Sequence, residues 1–117
     1  MAETADVIRR FNDVFQNHDP SSLPAHVAED CFVENTVPAP DGERLEGRAA
    51  CVDLWTRIAT TPDTRFDLED TIVLGERAII LWRFRWGQGA GQSVRGVNLM
   101  RVKGGQIVEA RGYVKGA

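Results

Sequence analysis

Several kinds of chemistry find no residues to work with in this chain. It has no glycine-rich loop opening a helix, no Gly-x-Ser-x-Gly elbow and no His/Cys/Asp group at metal-ligand spacing. Phosphate cradles, serine nucleophiles and metal centres are therefore without support, and no cofactor is implied. There is no run of basic residues and the formal net charge is −3, so a nucleic-acid partner is not expected. No apolar stretch approaches the roughly 20 residues of a membrane span, so a membrane is not expected either. Cysteine is scarce: Cys31 and Cys51 lie in or beside apolar segments with nothing electropositive next to them, and read as buried free thiols. The opening Met1-Ala2-Glu3-Thr4-Ala5-Asp6 has neither the basic region nor the apolar run of a secretory signal, which predicts a cytoplasmic location.

What is present suits one globular domain over residues 1–117, able to bury about two-thirds of its unfolded surface. Thr4 can cap a first helix, with Asp6 in its first turn. Val7, Ile8, Phe11, Val14 and Phe15 recur at helical period along it. Asp19-Pro20 starts a second, short helix, with Leu23 and Val27 as its apolar face and His26, Glu29 and Asp30 in its last turn. Residues 31–37 read as a strand closed by Pro38-Ala39-Pro40-Asp41-Gly42. Arg44-Leu45-Glu46-Gly47 leads into a third helix with Cys51, Leu54, Trp55 and Ile58 on one side. The remainder is strands: one around 66–74, two long ones within 76–102, and a last from Ile107 to Lys115. Gly87 to Gln92 reads as a mobile hairpin loop. The order ααβαββββ is an α+β arrangement with the helices at the front.

The ribbon at 76–102 organises the rest. Ile80, Trp82, Phe84 and Trp86 alternate with Ile79, Leu81, Arg83 and Arg85, so the two sets face opposite ways. If the aromatic side is core, both arginines lie in water. If the helices cover the arginine side, the aromatic side is an exposed patch that must meet a partner. Val97 and Leu99 of the next strand would join the aromatic face. Periodicity alone does not choose between these.

The Glu34-Asn35-Thr36-Val37-Pro38 stretch, followed by Leu45-Glu46-Gly47-Arg48, and the ending from Gly96 to Glu109 resemble the SnoaL-like group of the nuclear transport factor two superfamily, over nearly the whole chain. Ketosteroid isomerases, polyketide cyclases and limonene epoxide hydrolases share that fold. The resemblance implies a cone: a strongly curved mixed or antiparallel sheet wrapped around the helices, a pocket on its concave face, and a convex face that often makes a dimer. It implies that Arg83, with Arg85, faces the pocket. It further implies a homodimer through Trp82, Phe84, Trp86, Val97 and Leu99.

By the same resemblance, the isomerase base falls on Asn35 and the acid that holds the enolate oxygen falls on Asn98. The epoxide hydrolases are similar at Asn35 and Arg83, but their two carboxylates fall on Arg85 and Gly112. Gly112 is also about where SnoaL-type cyclases carry an acid/base aspartate. Each recognised carboxylate is thus missing. An asparagine amide donates and accepts hydrogen bonds but cannot serve as a general base. The expected site is Asn35, Asn98 and Arg83 orienting a ligand, with Glu34 or His26 as fallback base. Val33, Trp55, Arg85, Gly112 and Tyr113 would be the surrounding wall. The expected ligand is a small apolar or weakly anionic metabolite. The reaction, if there is one, would be an isomerase-, cyclase- or hydrolase-type step on a polyketide- or terpenoid-like substrate. The alternative is a non-catalytic ligand-binding or dimeric assembly module.

Overall fold

The computed structural model describes residues 3–87, 89 and 91–116. The elements are α1 (Thr4–Gln16), α2 (Leu23–His26), β1 (Val27–Glu34), β2 (Arg44–Glu46), α3 (Arg48–Thr60), β3 (Thr64–Leu74), β4 (Arg77–Trp86), β5 (Ser93–Lys103) and β6 (Gln106–Val114). They form the α+β fold expected of the resemblance. Six strands in the order β2-β1-β6-β5-β4-β3 make a curved, open sheet. All its pairs are antiparallel except β1 with β6, which is parallel.

The apolar stripe of α1 behaves as its period demands, with Val7, Ile8, Phe11 and Val14 buried. Its N-cap is Glu3 rather than Thr4, and no side chain caps it. The chain leaves α1 through His18, at φ 53°. There the imidazole Nδ1 donates to the Ala59 carbonyl at 2.9 Å, tying the end of α1 to the end of α3.

Three local readings need correction. The second helix spans only Leu23–His26, and Glu29 and Asp30 belong to β1. Asp19 caps a turn instead, accepting from Ser21 N at 3.0 Å. Val27, paired with Ile107 and fully buried, gains more in the sheet than one further helical turn could give. Residues 44–46 form a strand of their own, paired to the edge of β1. Lastly, β1 ends at Glu34, not Val37. Residues 35–43 close on themselves as Asn35 N donates to Glu43 O (2.8 Å) and Glu43 N to Val37 O (2.9 Å). Gly42, at φ +79°, makes this closure possible, since a Cβ there would stand 1.9 Å from Asn35 O. The Gly87–Gln92 loop reading falls partly on Gln88 and Ala90, which lie outside the described residues.

The largest difference concerns which way the central ribbon is turned. Trp82 and Phe84 face the subunit's own helices. Trp82 is 8% exposed, and its ring lies 5.4 Å from Phe66, itself 5.5 Å from Phe15 of α1. Trp86 lies on the same side at the open end, 5.9 Å from Phe84. Arg83 and Arg85 lie on the outer face. Arg83 donates to Ser93 Oγ at 3.0 Å, and Arg85 pairs with Asp67. Val97 and Leu99 oppose Leu81 and Ile79, so they too are on the outer face, not beside the indoles. The physical reason is area. Each aromatic ring offers 150–250 Å² to bury, and α1 and α3 present Phe11, Phe15, Leu54 and Trp55 to receive it. The guanidinium groups would meet no counter-charge there and remain half-exposed among carboxylates.

Candidate functional site

Between the concave face, α1 and α3 lies a cavity of about 260 Å³. Its wall is largely aromatic. Trp55 stands 4.9 Å from Phe11, Phe11 5.0 Å from Phe15, and Phe66 4.7 Å from Phe84, in a chain of edge-on and tilted rings. Leu54, Ile58, Ile80, Val33 and Ala110 complete the apolar lining. Val37, Leu68 and Val114 line it too and are themselves exposed, which places them at its mouth. Such a hollow favours an apolar occupant.

Polar groups enter the cavity at a few points. Asn98 lies opposite Gly112 in the β5–β6 register. Gly112 follows Arg111, the partner of Glu34 in the β1–β6 register. Asn35 and Asn98 therefore flank a position with no side chain. A Cβ at residue 112 would stand 2.8 Å from Thr36 Cγ2 and 3.3 Å from Asn98 Oδ1. The indole N–H of Trp82 donates to Asn98 Oδ1 at 3.2 Å, and the Thr36 backbone N–H donates to Asn35 Oδ1 at 2.8 Å. On the α1 side, Gln16 Nε2 donates to the Phe66 carbonyl at 2.8 Å.

The expected residues separate cleanly by face. Asn35, Asn98, Val33, Trp55 and Gly112 line the cavity. Glu34 touches it through its main chain, since its carbonyl lies 3.6 Å from the Cβ position of residue 112. Its carboxylate points out to Arg111 (2.9 Å) and Arg44 (3.1 Å), so it is no base for this cavity. Arg83, Arg85 and Tyr113 stand on the outer face, Tyr113 opposite Val97 and 52% exposed. His26 ends α2 and precedes Val27, at the opposite end of β1 from Glu34, and it does not line the cavity. Among the described residues, none of those lining the cavity turns an ionisable group into it.

Sequence reasoning missed Phe11, Phe15, Phe66 and Phe84 as cavity wall. Their periodicity is that of core residues, and a wall and a core share the same pattern. The two cysteines are free and buried. Cys51 Sγ donates to the Cys31 carbonyl at 3.5 Å, and burial pushes both thiols up, which leaves them protonated and unreactive.

The model of the SnoaL-like domain matches residues 8–110. The chain belongs to the SnoaL-like domain family. This SnoaL-like chain is 65% identical to an NTF2-like protein of unknown function from Mesorhizobium loti, over 97% of this chain and 91% of that one, with a TM-score of 0.91. More distant structures share the fold alone. A steroid delta-isomerase from Pseudomonas aeruginosa is 16% identical over 99% of this chain and 82% of that one (TM-score 0.81). An LEH-like epoxide hydrolase from M. tuberculosis is 18% identical over 93% and 76% (TM-score 0.71). No curated protein matches the chain. Among the described residues, no helix of this SnoaL-like domain is long and apolar enough to cross a membrane.

Proposed function

We propose that this SnoaL-like domain binds a neutral, largely apolar small molecule in its cone and does so without a proton-transferring side chain. The observation that carries the reading is the combination of an aromatic wall with amide groups and no inward ionisable group among the described residues. A buried charge on the ligand would find no counter-charge there, which disfavours an anionic metabolite. An isomerase- or cyclase-type step would need a proton acceptor within hydrogen-bond reach, and the amides cannot supply one. The test is calorimetric titration with the bicyclic hydrocarbon indane, followed also by tryptophan emission, because Trp55 and Trp82 both line the cavity. Binding should occur in the wild type and be lost in Ile58→Trp, which fills the hollow from α3, while the far-ultraviolet spectrum stays unchanged. Equal binding by both proteins would mean that the hydrocarbon sits elsewhere.

We also propose a homodimer, formed by residues other than the indoles. Leu81, Val97 and Leu99 make an apolar strip on the convex face, with Tyr113 and Ile72 beside it, both about half-exposed. Each flank carries both charge signs: Asp67, Glu69, Arg83 and Arg95 on the β3 side, Glu109 and Arg111 on the β6 side. A second copy of the face can therefore meet it without setting like charges together.

A further inference from the structure

Trp82 does more than fill space. Its ring lies over Gly96, where a Cβ would stand 2.5 Å from the ring's Cη2 and 2.5 Å from the Tyr113 carbonyl. Seated there, its indole N–H reaches Asn98 at 3.2 Å. An indole nitrogen can only donate, so the atom facing it must be the amide oxygen, and the Asn98 NH₂ group is the part left for the cavity. Asn35 is set the same way by a different donor, the Thr36 backbone N–H. Among the described residues, neither NH₂ group donates to a protein acceptor, and neither is sealed from the cavity or solvent. Both amides thus have their acceptor used and their donors open.

We infer that Trp82 is a positioning residue that fixes Asn98 as a hydrogen-bond donor, so that the cavity selects ligands whose polar group is a bare acceptor oxygen, as in a ketone, lactone or ester, over alcohols of the same shape. A carbonyl oxygen takes donors and brings no hydrogen of its own. A hydroxyl oxygen can accept as well, but its hydrogen must then find a separate acceptor, and the wall beside Asn98 is largely apolar. The inference rests on the proposed ligand site, and the experiment separates the two.

Calorimetry with indane, 1-indanone and 1-indanol compares three ligands of one shape that differ only at oxygen. The wild type should bind 1-indanone about tenfold more tightly than 1-indanol. Trp82→Phe keeps a ring on Gly96 but removes the N–H and frees the amide to turn. The smaller ring reshapes the wall for all three ligands alike, so the readout is the ratio: the preference for 1-indanone over 1-indanol should fall to about twofold or less. A purely packing role would change all three ligands together. In ¹⁵N-labelled wild-type protein, 1-indanone should move the Asn98 side-chain NH₂ resonances and leave the Trp82 indole N–H nearly in place. This measurement holds even if Trp82→Phe fails to fold. Equal affinity for ketone and alcohol, a ketone preference that survives in Trp82→Phe, or a shift of the indole N–H instead would overturn the inference while indane binding still supports the pocket. If none of the three ligands binds, both readings fall.

Discussion

Gly96 is buried between the Trp82 ring and the Tyr113 carbonyl, with no room for even a methyl group. Neither neighbour can yield: one is backbone, and the other is a large ring held against Phe66. Gly96→Ala should therefore destabilise the protein by about 1–3 kcal/mol and red-shift tryptophan emission as Trp82 is pushed from its seat. A calorimetric melting temperature equal to that of the wild type would contradict this packing. At this scale the sequence was readable in part. Asn35 and Asn98 stand out as amides in strands and do reach the cavity. What they do there depends on the N–H groups that meet them, from Trp82 and Thr36, and spacing in the chain gives no sign of such partners. Glu34 shows the opposite failure. It is adjacent to Asn35, yet its carboxylate is on the other side of the sheet with Arg44 and Arg111, because neighbours in a strand face opposite ways.

Among the elements, β4, β5 and α3 were legible to within a residue or two because their patterns are long and their ends carry Gly, Pro or Asp. The boundary between α2 and β1 was not, since Val27 fits a helical face as well as a strand until its pairing with Ile107 is seen. Strand β4 shows the limit most clearly. Its alternation was plain, but which face meets the helices depends on what those helices offer. The outer face of the sheet is laced by ion pairs, and their carboxylates set its acid response. The Arg85 hydrogen bond, helped by Arg65, holds Asp67 below the usual carboxylate range. Burial acts to raise Glu109, but hydrogen bonds from Arg111 and Arg77 outweigh it and keep this group low as well. A carboxyl whose folded pKa is depressed contributes stability above its unfolded value of about 4, and that contribution is lost as pH falls through the folded value. The urea midpoint should be level from about pH 7 to 5 and drop below about pH 4. Glu109→Gln should lower the plateau slightly and soften the drop. A midpoint as high at pH 3 as at pH 6 would show that these pairs do not matter to stability.

For the whole molecule, the turned ribbon relocates the proposed dimer contact from the indoles to the strip around Leu81, Val97 and Leu99. Val97→Glu places a charge at its centre and should give monomers by sedimentation with little loss of melting temperature, because Val97 is outside the core. Trp82→Glu, by contrast, puts a charge beneath the helices and should unfold the chain. A Val97→Glu protein that still sediments as the wild type would remove the convex face as the contact.

The cavity draws its walls from Phe11, near the beginning of the chain, through Val114, near its end. No contiguous half of the polypeptide owns that space. It comes into being only when β6 has docked beside β1, so a growing chain has nowhere to hold a guest until β6 itself has been made.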